Sequence, residues 1–533
     1  MKRPLLFTGF MATGKTTVAR RIAEETGRAF VDLDQRIAAR AGKSVTDIFA
    51  DHGEAHFREL ERAELRSLLD SWQKEFGEAP VISLGGGALL EREQRVRALE
   101  AGVVVSLMAA PEEIAQRLSR EEIERRPLLQ TGDPAARIRT LLEQRKLVYR
   151  EAHVELDTTG RAPEDLARLA LAHWRRNAVA VAAGESTYVV EIGRNLVEER
   201  LGALVGRCSS TLLVTDTNVA PLHGAGARHA LSQLGTPSGE VQLTPGEEHK
   251  TLRGLERIFE GAFSAELDRS SVMVGLGGGV VTDMTGFAAA TWMRGVRWIG
   301  VPTTLLSMVD ASVGGKTAVD FRSAKNSVGA FWQPSGVLCD VATLLTESER
   351  AYTSALAEVV KTALIGDAEL FTLLEERAEA VLARDLDVVT ELVERSVRVK
   401  ARIVSLDERE GGLRAVLNLG HTVGHALEAA GGFTALTHGE AVSLGLVAAL
   451  RIGQSLGETP QELTTRTLSL LERLKLPRTL AEADLAAAAR LLGHDKKRAG
   501  TQIKFVVARG VGHVGIRALG LTDLAERTQR AVG

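Results

Sequence analysis

The run Gly9-Phe-Met-Ala-Thr-Gly-Lys-Thr16 matches GxxxxGK[ST] in full, and it lies between an apolar segment, residues 5–8, and an amphipathic one that begins at Thr17. Strand, glycine-rich loop and helix in that order commit the N-terminal part of the chain to a parallel α/β sheet. The loop binds phosphate only when backbone N–H groups at a helix N-terminus surround the anion. In such a cradle Gly9, Ala12, Thr13, Gly14 and Thr17 line the phosphates, Lys15 neutralises the β and γ oxygens, and the Thr16 hydroxyl can ligate Mg²⁺. The expected ligand is ATP with Mg²⁺. The surrounding rhythm agrees: apolar runs at 29–32, 81–84 and 103–107 alternate with amphipathic stretches such as 45–69, which predicts helices on both faces of the sheet.

A chain of 533 residues has room for about three domains at roughly 150 residues each. The basic Trp174-Arg-Arg-Asn177 ends the first pattern, so the spacing predicts a P-loop domain over 1–176. A second α/β pattern follows over 177–345, with strands at 211–215, 272–276 and 298–301, and a mostly helical domain over 346–533 that is interrupted by a strand at 503–507. A net charge of −3, with 44% apolar and 25% charged residues, describes an ordinary globular protein. It argues against nucleic-acid and membrane-surface partners and for small-molecule ones. Cys208 and Cys339, far apart and in apolar runs, suit buried thiols in a reducing compartment. The apolar N-terminal segment is too short for a signal sequence and no run of about 18 apolar residues follows, so a cytoplasmic location is expected.

A phosphoryl acceptor needs groups of its own, held in line with the γ-phosphate. Asp32 and Asp34 are read as ending the second strand, one near Mg²⁺ and the other able to take a hydroxyl proton, with a plain helix N-cap as the competing role for Asp34. Gly53-Glu-Ala-His-Phe-Arg58-Glu-Leu-Glu61, Ser83-Leu-Gly85-Gly86-Gly87 and Arg126-Pro-Leu-Leu129 follow. In this order the motifs over residues 1–170 resemble shikimate kinase. The resemblance implies that Asp34, Arg58, Gly86 and Arg145 bind shikimate, with Asp34 as base and the two arginines on the carboxylate, where a bidentate fork fits. It further implies Asp32 near Mg²⁺, Arg126 as a lid arginine over the phosphates and Arg161 on the purine side. The chain departs from the family's RxPLY in reading Arg145-Lys-Leu-Val-Tyr149.

The second pattern carries Gly275-Leu-Gly277-Gly278-Gly279-Val-Val-Thr-Asp283 after an apolar strand, a setting in which backbone can approach a pyrophosphate at a helix N-terminus. Asp216-Thr-Asn218, Pro245-Gly-Glu247-Glu-His-Lys250 and Val301-Pro-Thr303-Thr304 support a nucleotide, and an acid at a strand end favours NAD over NADP. Further on, Asn418-Leu-Gly-His-Thr-Val-Gly-His-Ala-Leu-Glu428 and His438-Gly-Glu440 place three of the twelve histidines beside carboxylates. His421 and His425, four apart, share a helix face and by spacing alone make a pair able to bind zinc or move protons. Arg294, Asp310, Lys316, Lys325 and Asn326, with Glu358, Lys361, Lys400, Arg414 and Asn418, suggest a small polyanionic substrate.

The whole run, from Gly277-Gly-Gly279 through Ala357-Glu-Val-Val-Lys361 to His438-Gly-Glu440, resembles 3-dehydroquinate synthase over about 178–525. That resemblance implies Glu358, His421 and His438 as ligands of Zn²⁺ (or Co²⁺). His425 becomes a catalytic acid/base and substrate contact, with Glu410 and Lys316 also catalytic. Substrate, 3-deoxy-D-arabino-heptulosonate 7-phosphate, would be held by Arg294, Asp310, Lys316, Asn326, Lys361, Lys400, Arg414, Asn418, His425 and Lys496 or Lys497. NAD would be held by Asp216, Glu247, Lys250, Gly278, Gly279, Val280, Asp283, Thr303, Thr304, Lys325, Thr343, Leu344, Leu345 and Thr346. A homodimer through the synthase half is the expected assembly. The competing reading is a kinase for another polyol acid, such as gluconate, fused to a related sugar-phosphate cyclase or a polyol dehydrogenase.

Overall fold

The computed structural model describes residues 3–118, 133–322, 324–431, 435–479, 482–494 and 502–531. They divide into two compact units, Met1–Val189 and Val190–Gly533. In the first, strands β1 (Leu5–Gly9), β2 (Phe30–Asp32), β3 (Val81–Ser83), β4 (Val103–Met108) and β5 (Val154–Asp157) pair in parallel in the order β2-β3-β1-β4-β5. Every residue of β1 is buried, as expected for a central strand covered on both faces. Alternation sends Leu6 to one core, with Ile82, Val104 and Leu65, and sends Leu5 and Phe7 to the other, with Val81, Val18 and Trp174. The helix expected over 45–69 runs Val45–Phe76 and breaks at Gly53, whose φ of 78° lies outside helical space.

The two compact units divide at Val189. Strand β6 (Ala178–Val181) belongs to the first unit, where the Arg3 guanidinium donates to the Ala178 carbonyl and Arg92 Nη2 to the Ala182 carbonyl at 3.1 Å. The buried Glu151 carboxylate, paired with Arg92 and Arg95, accepts the Gly184 N–H at 3.0 Å. These bonds join parts of the chain far apart in sequence, so composition around residue 177 does not reveal them.

The second unit is built on β7 (Tyr188–Gly193), β8 (Thr211–Asp216), β9 (Ser238–Leu243), β10 (Val272–Gly277), β11 (Arg297–Pro302), the antiparallel hairpin β12 (Lys316–Phe321) and β13 (Ala324–Phe331), and β14 (Gly336–Asp340). The parallel strands follow the order β7-β14-β11-β10-β8-β9. From β8 the chain moves outward to β9, and from β10 it moves the other way to β11. The strand order therefore reverses between β8 and β10, which places a ligand crevice at their carboxyl ends. The segment beyond residue 345 is helical, with the hairpin β15 (Gln502–Gly510) and β16 (His513–Gly520) near its end. Among the described residues no helix is long and apolar enough to cross a membrane.

Candidate active sites

In the first unit the glycine-rich loop turns at Ala12 (φ 58°) and Gly14 (φ 91°) into the helix Lys15–Thr26. Thr13 Oγ1 donates to the Phe10 carbonyl at 2.8 Å and Lys15 Nζ to the same oxygen at 2.7 Å, so the loop is braced from inside. Thr16 Oγ1 lies 3.1 Å from Ser83 Oγ and 3.4 Å from Asp32 Oδ2. This hydroxyl–carboxylate pair facing a phosphate cradle is chemically suited to the shell of Mg²⁺.

Asp32 ends β2 and caps the next helix, its Oδ1 accepting from the N–H groups of Asp34 and Gln35. Asp34 therefore stands in the first helical turn, Leu33–Ala41, neither ending the strand nor serving as the cap. That position turns its carboxylate toward the glycine loop after β3: a Cβ built on Gly85 would lie 2.9 Å from Asp34 Oδ1 and 2.6 Å from Glu61 Oε1. Arg58 Nη1 donates to Glu61 Oε2 at 2.6 Å and its Nη2 to Glu54 at 3.1 Å. The Gly86 carbonyl accepts from Tyr149 Oη at 2.8 Å and from Arg145 Nη1 at 3.5 Å. Asp34, Arg58, Gly86 and Arg145 thus converge on one spot beside the phosphate loop, despite the departure around Arg145.

Burial and the nearby Asp34 charge outweigh Arg58 and push the Glu61 carboxyl up to about 7. Glu61 is the neighbour that sequence reasoning left without a role, because a glutamate on a polar helix has an unremarkable local setting. Arg117 was also missed. Its Nη1 reaches the Ala12 carbonyl at 3.3 Å, and its Nη2 the Thr158 carbonyl at 3.0 Å, tying the turn before Arg161 to the phosphate loop. Arg126 lies outside the described residues.

In the second unit a cavity of about 420 Å³ opens at the reversal between β8 and β10. It is lined by Asp216, Asn218, Gly246, Gly278, Gly279, Val280, Thr303, Thr304 and Thr346, with His223 and Glu347 as unforeseen members. Gly278 and Gly279 open the helix Gly279–Thr291, so its N-terminus faces the cavity. Asp216 Oδ1 is engaged by the N–H groups of Asn218 and Val219. Burial outweighs the opposing hydrogen bond from the Leu305 N–H and raises the Glu347 carboxyl to about 7. Of the run 343–346, Thr343 and Leu344 are buried and Leu345 is exposed, and Thr346 Oγ1 meets His223 Nε2 at 2.8 Å.

Lys250 and Asp283, also expected at NAD, do not line this cavity. Lys250 is buried, with Nζ 2.7 Å from Asp283 Oδ2, 2.5 Å from Asn326 Oδ1 and 3.9 Å from Glu247. It joins the helix of the glycine loop to the hairpin β12–β13. Asp283 lines a second cavity of about 500 Å³ together with Asp310, Lys316, Asn326, Lys400 and Arg414. There Lys400 Nζ donates to Asp310 Oδ1 at 2.6 Å, Lys316 pairs with Glu410, and Arg414 Nη2 reaches the Gly314 carbonyl at 3.2 Å. Arg294, on a tight turn with φ 68°, lines neither cavity. Lys496 and Lys497 lie outside the described residues.

The three expected metal ligands meet where three helices cross. Glu358 is buried within Glu349–Gly366, His421 opens His421–Ala430 and His438 opens His438–Ser455. A Cβ on Gly439 would lie 1.9 Å from the Ser354 carbonyl, and one on Gly445 2.1 Å from the Gly420 carbonyl, so only glycine lets the helices approach this closely. Glu358 Oε1 is 3.4 Å from His421 Nε2 and 3.2 Å from His438 Nε2, and one ligand atom from each residue falls within 4.8 Å of the others. His421 Nδ1 lies 3.3 Å from the Leu419 carbonyl, which leaves Nε2 as the lone-pair side.

The two histidines are shifted in opposite directions by their neighbours. Burial and Lys361 press the His421 imidazole down to about 3, while Lys361 and the two histidines hold Glu358 well below the carboxylate range against burial. His438, against burial, is raised to about 10 by Glu358 and Glu428. A carboxylate with two imidazoles is a donor set for an open zinc site. His425 shares a helix face with His421, ring centroids 5.1 Å apart. It is mostly exposed and faces Glu428 at 4.0 Å, and with Asn418 and His421 it lines a third cavity of about 510 Å³. The shared face that the spacing predicts is present, and the candidate donor groups join His421 with Glu358 and His438, and His425 with Glu428 and His438.

Comparisons with known proteins match separate parts of the chain. The family model of shikimate kinase matches residues 11–174, and those of the N-terminal and C-terminal parts of 3-dehydroquinate synthase match 240–354 and 355–498. The 3-dehydroquinate synthase of Geobacter sp. strain M21 is 42% identical over 349 residues, which cover 65% of this chain and 96% of that protein. A 2-epi-5-epi-valiolone synthase from Streptomyces hygroscopicus subsp. jinggangensis 5008, solved with NAD⁺ and Zn²⁺ bound, superposes with a TM-score of 0.58 at 25% identity over 64% of this chain and 96% of its own. Shikimate kinase from Acinetobacter baumannii, solved with shikimate, is 36% identical over 32% of this chain and 90% of its own, with a TM-score of 0.29. The chain belongs to the 3-dehydroquinate synthase family and carries a shikimate kinase at its N-terminus.

Proposed function

We propose that the two reactions are performed by the residues gathered above: phosphorylation of shikimate to shikimate 3-phosphate in the first unit, and cyclisation of 3-deoxy-D-arabino-heptulosonate 7-phosphate to 3-dehydroquinate in the second. In the first, Arg58 and Arg145 hold the acceptor carboxylate, Asp34 takes the proton of the attacking hydroxyl, and the loop with Lys15 holds the phosphates. Thr16 and Asp32 would hold Mg²⁺.

In the second unit, Asp216, Gly278, Gly279, Thr303 and Thr304 would hold NAD, and Glu358, His421 and His438 would hold Zn²⁺ or Co²⁺. Support comes from the valiolone synthase relative, which carries NAD⁺ and Zn²⁺. When bound, the metal would polarise a substrate alcohol and the dinucleotide would take its hydride, leaving a ketone that acidifies the neighbouring C–H broken as phosphate leaves, before the hydride is returned. Lys316, Asn326, Lys400 and Arg414 orient the phosphate, carboxylate and hydroxyls, and His425 moves protons beside the metal. The observation that carries the reading is the meeting of Glu358, His421 and His438 within 4.8 Å, in the unit that also holds the cation-lined cavity and the glycine loop.

The reading includes a cytoplasmic location, supported by two free cysteines, and a homodimer through the synthase half, which sedimentation of the purified chain tests. For the kinase, ADP formation from ATP is expected with shikimate and at least about 100-fold slower with gluconate, an open-chain acid that does not present its carboxylate and hydroxyls in a fixed register to Arg58, Arg145 and Asp34. Comparable rates on both acceptors would refute that assignment.

A further inference from the structure

Glu428 lies on the same helix as His421 and His425, and its carboxylate is buried, 5% exposed. Its Oε1 is 3.5 Å from His438 Nδ1 and 3.7 Å from Lys325 Nζ, and its Oε2 is 4.0 Å from His425 Nε2. One carboxylate therefore faces a metal-ligand histidine, the proton-handling histidine and a lysine of the β12–β13 hairpin. On its other edge the His438 ring presents Nε2 to Glu358 at 3.2 Å. An imidazole held by a carboxylate at Nδ1 has its proton there, which leaves the Nε2 lone pair for a metal and fixes the ring plane.

We infer that Glu428 is a positioning residue for the metal centre, holding His438 in the tautomer and orientation that direct Nε2 at the ion shared with Glu358 and His421. This rests on the metal centre proposed above. A second reading of the same atoms is available, since His425, Glu428 and His438 also bring ligand atoms within 4.8 Å of one another. Two features weigh against a second ion there. The Lys325 ammonium lies 3.7 Å from Glu428 Oε1, so its charge opposes a cation bound beside that carboxylate. An ion on Nδ1 would also displace the proton that makes Nε2 the ligand atom.

The test uses the full-length protein, metal-depleted and then titrated with zinc against a chromophoric chelator. Glu428→Ala is expected to weaken zinc binding about 10–100-fold, the usual effect of losing an outer partner of a ligand histidine. Glu428→Gln, whose amide oxygen can still accept from Nδ1, should fall between that variant and the wild type. The absorption spectrum of the Co²⁺-loaded protein should shift in Glu428→Ala, and the thermal midpoint of the metal-depleted protein should not. If Glu428→Ala lowers that midpoint, the spectrum and affinity of Glu428→Gln decide. Wild-type zinc affinity and spectrum in both variants would overturn the inference, as would a second zinc equivalent in the wild type that Glu428→Ala removes. His421→Ala separates the two claims. If it weakens zinc binding while the Glu428 variants do not, only the inference fails, and if it too binds zinc like the wild type, the metal centre itself is misassigned.

Discussion

His421→Ala is expected to lose zinc and His425→Ala to keep it, although the two histidines are one helical turn apart on the same face. His421 Nε2 points at the buried Glu358 carboxylate together with His438, while His425 is mostly exposed and faces Glu428. Removing one of three ligands should weaken zinc more than the ~10–100-fold that follows loss of an outer partner. It should also reduce phosphate release roughly 10³-fold, since polarisation by a metal contributes several kcal/mol. His425→Ala should lower the rate about 10²–10⁴-fold, the usual range for a group that moves a proton in the transition state. Zinc content and phosphate release of the two variants are the measurements, with kinase activity of the same chain as the internal standard. Equal zinc loss in both would restore the simple i, i+4 pair.

Lys15→Met should cut the kinase activity about 10³-fold and spare phosphate release. The Lys15 ammonium sits on the Phe10 carbonyl inside the phosphate loop, where it opposes charge developing on the transferring group. Loss of such a charge costs about 10³-fold in turnover, or about 4 kcal/mol. ADP formation with shikimate should fall by that factor, and phosphate release from the heptulosonate phosphate should be unchanged. Each unit has its own core and its own site, so a parallel loss of both activities would contradict their independence.

What the sequence made legible follows from how local each signal is. The phosphate loop, the glycine loop after β10 and the strands β8, β10 and β11 are contiguous patterns with a fixed period, and the structure has them where the pattern places them. Asp34 was misplaced by two residues because a strand that ends in its own helix cap looks, in sequence, like a longer strand. The hairpin β12–β13 escaped notice because its second strand, Ala324–Phe331, is largely exposed and lacks apolar alternation.

Residues whose roles depend on distant partners were the least legible. Glu61, Arg117, Glu347 and Glu428 are charged side chains on otherwise ordinary elements, and only folding brings them against Asp34, the Ala12 carbonyl, the Leu305 N–H and His438. Lys250 and Asp283 belong to dinucleotide motifs by sequence, yet Lys250 is bonded to both Asp283 and Asn326, which line the cation-lined cavity. The expected set of Glu358, His421 and His438 rests on the family resemblance and not on spacing, because Glu358 precedes His421 by more than sixty residues.

The most direct measurement follows phosphate release from 3-deoxy-D-arabino-heptulosonate 7-phosphate by the full chain, with substoichiometric NAD⁺, while absorbance reports any NADH. Many phosphates per NAD⁺, no lasting NADH, and loss of turnover with a chelator that zinc or cobalt restores is the expected result. NADH accumulating in step with substrate consumed, or phosphate release indifferent to NAD⁺ and metal, would contradict it.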